Sequence, residues 1–259
     1  MKKLLGISLV LGMAAIMLFA NTVAQTNKKT ELKTGKKVVN KKMKVEIWSD
    51  MVCPFCYIGK RRYEAALSKF AHSNEIEVVW HSFQLNPSLE VNKDNRESVY
   101  QYLAKAKGVS YEQSVKMHEG VMEMAHEVGL DYRFDKAVVT NSQNAHRVMQ
   151  MAQQHGLGDV AEELLFKAYF TEGKDLNDVA TLVQIGEAIG LDAEVVATML
   201  AGNDYVKEVT EDMQEANRLG INGVPFFVFD RKYAVSGAQP IDTFLQTLQA
   251  AHAAWQKGM

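Results

Sequence analysis

Val45-Glu46-Ile47-Trp48-Ser49-Asp50-Met51-Val52-Cys53-Pro54-Phe55-Cys56-Tyr57-Ile58-Gly59-Lys60 decides how this 259-residue chain is read. It begins as an alternating strand with Val45, Ile47 and Trp48 apolar, turns through Ser49 to Val52, and enters a helix-like stretch whose Tyr63, Ala66, Leu67 and Phe70 share one face. At the junction stand the two cysteines of the chain, spaced Cys-x-x-Cys. Proline restricts the first helical turn, so Cys53 is expected at an exposed helix N-terminus and Cys56 one turn further in, more buried but within reach. Unpaired backbone N–H groups and the positive end of the helix dipole favour the Cys53 thiolate, drawing its pKa below the free value of about 8.5. Lys60, Arg61 and Arg62 are placed on the exposed side of the helix, a full turn past the thiols. The pattern reads as a redox dithiol, Cys53 the nucleophile and Cys56 the resolver. Structural zinc wants four ligands and there is no third cysteine, so no metal is expected. A purely structural disulfide closing so short a loop would stabilise little.

Downstream, a second strand is expected over residues 76–83, containing Val78, Val79 and Trp80 and followed by Asn86-Pro87. The pattern then turns helical for more than a hundred residues. Helices are expected over 98–107, 110–129, 141–155, 159–171, 178–189, 192–200 and 204–219, the second opened by a Ser110/Gln113 capping box and several stopped by glycine. Strand character returns at 226–229 and 233–236, spaced as a hairpin, and Pro240 opens a last helix through Phe244, Leu245, Leu248 and Trp255. The order is βαβ, a helical block over about 94–219, then ββα, an α/β fold interrupted by an all-helical insertion.

Composition sets the surroundings. With 47% hydrophobic and 23% charged residues the chain is an ordinary globular one. Met1-Lys2-Lys3 precedes an uncharged run from Leu4 to Ala20, and Thr22-Val23-Ala24 has small residues where a signal peptidase reads. Residues 1–24 are therefore read as a signal peptide and the protein as exported, periplasmic in a two-membrane cell. A membrane-anchored form is the alternative, and membrane contact is expected through this segment alone if it is uncleaved. Residues 25–42 hold seven lysines against Glu31 and read as a basic flexible linker. Nine of the 29 basic residues lie before Met43, which leaves 20 against 30 acids, a net of about −10 for residues 43–259. So acidic a body lacks the basic face that nucleic acid binding requires.

The element order with Cys-x-x-Cys at the first helix resembles the thioredoxin fold carrying a helical insertion, and residues 43–259 resemble the DsbA family, its FrnE-like branch most nearly. The resemblance rests on Ile47 to Lys60, Trp80-His81-Ser82-Phe83-Gln84-Leu85-Asn86-Pro87, Asn144-Ala145-His146-Arg147, Gly223-Val224-Pro225-Phe226-Phe227 and Ser236-Gly237-Ala238-Gln239-Pro240. It implies a cis proline at Pro225, facing the dithiol, with Val224 backbone atoms open to strand-like pairing with a substrate and Pro54 and Phe55 beside the thiols. It also implies thiol-disulfide exchange with cysteine-containing protein substrates, no cofactor beyond the Cys53–Cys56 pair, and a redox-recycling partner. The DsbA oxidase has histidine where this chain has Phe55, so a less oxidising disulfide is expected.

Glu46 is weighed as the buried acid beneath the resolving cysteine against an exposed strand-face glutamate. His81 and His146 are weighed as proton carriers against structural histidines. Met117, Met122, Met124, Met149 and Met151 could form a yielding surface for unfolded chains or fill the core. Phe226, Phe227 and Phe229 are assigned to the sheet. Two further functions stay open: a glutathione-dependent isomerase or kappa-class transferase, whose relatives generally have serine at the first cysteine, and a non-enzymatic peptide-binding module.

Overall fold

In Met43–Ser49, the strand β1, six of seven residues are buried, as befits a strand covered on both faces. The computed structural model describes residues 41–91 and 97–258; the expected signal segment, the linker up to residue 40 and the first positions of the insertion lie outside them. β1 pairs in parallel with β2 (Ile76–Ser82), Ile47 opposite Trp80. On its other side it pairs antiparallel with β3 (Phe226–Phe229), Ile47 opposite Phe227, and β4 (Tyr233–Ser236) completes the order β2-β1-β3-β4. A parallel pair needs a crossover, which α1 (Pro54–Ser68) and a 3-10 turn (Ser73–Glu75) provide.

The last helix, α9 (Ile241–Lys257), lies beside α1 on one sheet face, where Tyr63 of α1 and Phe244 of α9 both pack on Phe227. The helical block consists of α2 (Val99–Lys107), α3 (Tyr111–His126), α4 (Gln143–Gln154), α5 (Gly158–Phe170), α6 (Val179–Ala188), α7 (Ala193–Ala201) and α8 (Val206–Arg218). α8 covers the opposite sheet face, joining Ala216 to a small core of Trp48, Ile221 and Val228. The thioredoxin-like fold with a helical insertion is thus the architecture observed.

Local chemistry sets these helices. Ser98/Gln101 and Ser110/Gln113 form reciprocal capping boxes at α2 and α3, and Gly108 ends α2 at φ 66°. Buried Arg147 of α4 satisfies the end of α7, donating to the carbonyls of Met199, Leu200 and Gly202.

The cations of α1 differ from expectation. Lys60 is buried, paired with Glu64 and, at 3.1 Å, with Glu163 of α5. Arg61 joins Glu64 and Glu163, and Arg62 donates to the Ala238 carbonyl at 2.6 Å. The inserted helix α5 covers the side of α1 that helical periodicity alone leaves facing water.

Candidate active site

Asp50 builds the turn that presents the thiols. Its buried carboxylate accepts from Val52 N–H at 3.3 Å and Leu85 N–H at 2.8 Å, and its carbonyl from Cys53 N–H at 2.9 Å. Cys53 is then the N-cap of α1 in extended conformation (ψ 112°), with Pro54 at the first helical position. Cys56 donates its N–H to the Cys53 carbonyl at 3.0 Å, and the two free cysteines lie 3.5 Å apart. From across the site comes the loop before β3: the Cys53 thiol donates to the Val224 carbonyl at 3.6 Å, and the Val224–Pro225 peptide is cis. The Pro225 carbonyl is held by Gly237 N–H at 2.8 Å. Helix and loop can meet because residue 59 is glycine: a Cβ there would stand 2.9 Å from Pro225 Cγ. Cys53, Cys56, Pro54, Val224 and Pro225 therefore converge, and Phe55, 40% exposed, flanks them.

Cys53 is not exposed as its helix-terminal position suggests; it is 4% exposed, against 1% for Cys56. It opens instead onto a cavity of about 700 Å³ shared with Leu85, Leu89, Tyr102, Val121, Met124 and Phe170. The α2–α3 pair forms the far wall, tied together by the Ser114 hydroxyl on the Tyr100 carbonyl at 2.8 Å. Tyr132 donates to the Pro54 carbonyl at 2.7 Å and stacks on the lining residue Phe170. The methionines divide: Met117 and Met124 line the cavity, whereas Met149 and Met151 are core.

Behind Cys56 lies a buried polar cluster. Ser49 follows Ile47 by two residues, so it faces α1, where its hydroxyl reaches Cys56 and also donates to Glu162 of α5 at 2.6 Å. Burial raises the Glu162 carboxyl to about 7, although Ser49 and the nearby His146 and Lys60 favour its charge. Burial, followed by the adjoining Cys53 sulfur, pushes the Cys56 thiol well up, while hydrogen bonds from the Asp50 backbone and Ser49 act the other way. His146 of α4 is fully buried with Nε2 3.5 Å from Asp50 Oδ1. Among the described residues, neither of its ring nitrogens nor Glu162 Oε2 has a hydrogen-bond partner.

Glu46 holds neither position considered for it. It lies opposite Val228 on the α8 face of the sheet, away from α1, because side chains alternate along β1. It is buried there and paired with Arg231 at 2.5 Å and His81 at 3.3 Å. Burial opposes a charge on His81, but Asp212 at 2.6 Å and Glu46 outweigh it and raise that imidazole to about 9. His81 thus fixes α8 to the back of the sheet.

Ser49, Asp50, Gly59 and Glu162 were not singled out from the sequence. For the first two the signal was present: a small polar residue in phase with the core face of a strand, and an acid three residues before the first cysteine. Glu162 had no such signal beside its neighbour Glu163.

Several known proteins are similar to this chain in sequence and fold. YwbO, an uncharacterised protein of Bacillus subtilis, is 24% identical over 207 residues, covering 77% of this chain and 92% of its own. A probable DsbA oxidoreductase of Streptomyces coelicolor is similar at TM-score 0.77 and 39% identity, over 82% of this chain and 90% of that one. The cytosolic disulfide reductase DsbM of Pseudomonas aeruginosa has the same fold, with TM-score 0.58 and 18% identity over 82% of this chain and 99% of its own. Residues 44–249 match the family model of the DSBA-like thioredoxin domain, and the chain belongs to that family.

Proposed function

We propose that this protein is an exported thiol-disulfide oxidoreductase that exchanges disulfides with cysteine-containing proteins through Cys53 and Cys56. The observation that carries the reading is the placement of Cys53: 3.5 Å from a more buried thiol, facing the Val224 carbonyl, at an apolar cavity. In the oxidising direction a substrate thiolate attacks Cys53 Sγ, the Cys53–Cys56 bond breaks, and Cys56 leaves as a thiolate. Cys56 takes a proton from Glu162 by way of Ser49, which suits a thiol pushed up by burial beside a carboxyl near neutrality. The substrate's second thiolate attacks its own sulfur in the mixed disulfide and releases Cys53. The substrate loses two electrons, which the dithiol keeps until a recycling partner removes them. Run in reverse, Cys53 attacks a substrate disulfide and Cys56 resolves the intermediate. The dithiol supplies the redox chemistry, so no bound cofactor is required.

Export rests on the uncharged run and small residues of positions 1–24, and the periplasm is the compartment in which such a pair would meet unfolded substrates. The stretches around Trp80-His81 and Ser236-Gly237 support placement in the FrnE-like branch.

Equilibration of the purified protein against glutathione buffers tests the reading. A potential between about −120 and −180 mV assigns an oxidase or isomerase, one near about −270 mV a reductase. Phe55 in place of histidine favours the lower part of the oxidising range. Cys53→Ser is expected to abolish exchange, and Cys56→Ser to accumulate a mixed disulfide when its Cys53 thiolate attacks a disulfide-bonded peptide and releases the peptide's other sulfur as a thiolate, seen by mass spectrometry. A protein with no reversible dithiol transition would sink the proposal.

A further inference from the structure

Three ligating side chains meet beyond the far end of α1, a helix of fifteen residues and so about 22 Å long. His72 precedes the 3-10 turn and Glu75 ends it, and residues three apart in such a turn eclipse. Both side chains therefore leave the backbone on the same side, the turn being closed by Glu75 N–H on the His72 carbonyl at 3.0 Å. His252 arrives from α9. Its ring is buried, set edge-on against Phe70 at 5.3 Å and stacked on His72 at 4.5 Å with 20° between the planes. His72 Nδ1 stands 3.1 Å from Glu75 Oε1, and His252 Nε2 2.9 Å from Glu75 Oε2. All three donor groups lie within 4.8 Å of one another.

We propose that His72, Glu75 and His252 form a zinc site that clamps the entry of β2 to the C-terminal helix. Two imidazoles and one carboxylate are a borderline donor set that zinc takes readily, whereas magnesium and calcium prefer oxygen alone. Zinc bonds of about 2.0–2.2 Å in a tetrahedron bring donors to roughly 3.3 Å. His252 and Glu75 already stand near that spacing, and His72, 47% exposed, can swing in to complete it. Each imidazole then offers the lone pair of its facing nitrogen, its ring proton residing on the other nitrogen. Water takes the fourth position, which makes this an open site rather than the closed four-ligand kind that a Cys-x-x-Cys pair serves. Fixed by one rigid ligand from α9 and two from a single turn, the ion ties together segments 177 residues apart.

The site is tested on the full chain, cleared of metal with EDTA and kept oxidised so that no thiolate competes for zinc. Calorimetric titration with zinc chloride is expected to show one equivalent bound, weakened at least tenfold by His72→Ala and by Glu75→Gln. Cobalt(II) should give the visible spectrum of a four-coordinate site in the parent and not in the variants. Both substitutions fall on partly exposed side chains, and circular dichroism checks that the fold is retained. Absence of a saturable first equivalent, or equal binding by parent and both variants, would overturn the proposal.

Discussion

Glu162 stands one hydroxyl away from the Cys56 thiol, and its burial makes stability depend on pH. Below about pH 4.5 the carboxyl is neutral whether the chain is folded or unfolded, and its contribution to stability is fully present. Between there and about 7 the unfolded chain ionises while the folded one holds its proton, so the folded state binds more protons and stability falls as pH rises. The loss over that window is about 3 kcal/mol. Urea unfolding of the oxidised protein at both ends of the window should show this decline in the parent and a flatter profile in Glu162→Gln. The same variant, which lacks a titratable proton, should slow formation of the mixed disulfide about tenfold or more at neutral pH. An unchanged pH profile would remove Glu162 from the proton path. At this scale the sequence was half legible. A Cys-x-x-Cys pair announces itself, but Glu162 and Glu163 are adjacent acids whose fates depend on which way α5 is turned. One is sealed against Ser49, and the other is held ionised, against its own burial, by Arg61, Tyr57 and Lys60.

Helix α1 and the loop before β3 work as one element because Gly59 lets them touch. Gly59→Ala adds a methyl 2.9 Å from the Pro225 ring and 3.4 Å from Phe227, both buried and backed by the sheet, so the helix must shift rather than the neighbours. A destabilisation of about 1–3 kcal/mol is expected in thermal or urea unfolding. The shift would also lengthen the thiol contact to Val224, so exchange with a peptide should fall more than the stability change alone explains. A fully active, equally stable Gly59→Ala would show that the close approach is not required. Most of the elements themselves were legible, since caps, glycine stops and hairpin spacing are local features. The expected helix over 110–129 stops in the structure at His126, with the last three positions forming its closing turns. What local pattern could not supply was the contact between elements. Lys60 is buried by a helix a hundred residues later, and Glu46 is withdrawn from the thiols by the phase of its own strand.

At the scale of the molecule, the helical block turns a bare dithiol into an enclosed one. The sheet and α1 position Cys53, and α2, α3 and the end of α5, with the loops that carry Leu85, Val139 and Val224, enclose the cavity, whose apolar side chains suit the hydrophobic segments that unfolded proteins expose. The number and order of the helices could be read from the sequence, but the cavity could not, because its lining joins Leu85, Val121, Phe170 and Val224 only after folding. The His72, Glu75 and His252 group was invisible for the same reason. If the cavity selects protein substrates, then filling it should impair binding without altering the electron affinity of the dithiol. Val121→Trp replaces an isopropyl group with an indole in that space from α3, a helix that carries none of Ser49, Glu162 or the Val224 carbonyl. For a cysteine-containing peptide with apolar neighbours, KM should rise several-fold with kcat nearly unchanged, a loss of about 1 kcal/mol of uniform binding. The equilibrium of the same variant with glutathione should match the parent, since no group touching either sulfur has changed. A variant with altered potential would mean that α3 acts on the thiols directly; one with unaltered KM would mean that protein substrates engage Cys53 without entering the cavity.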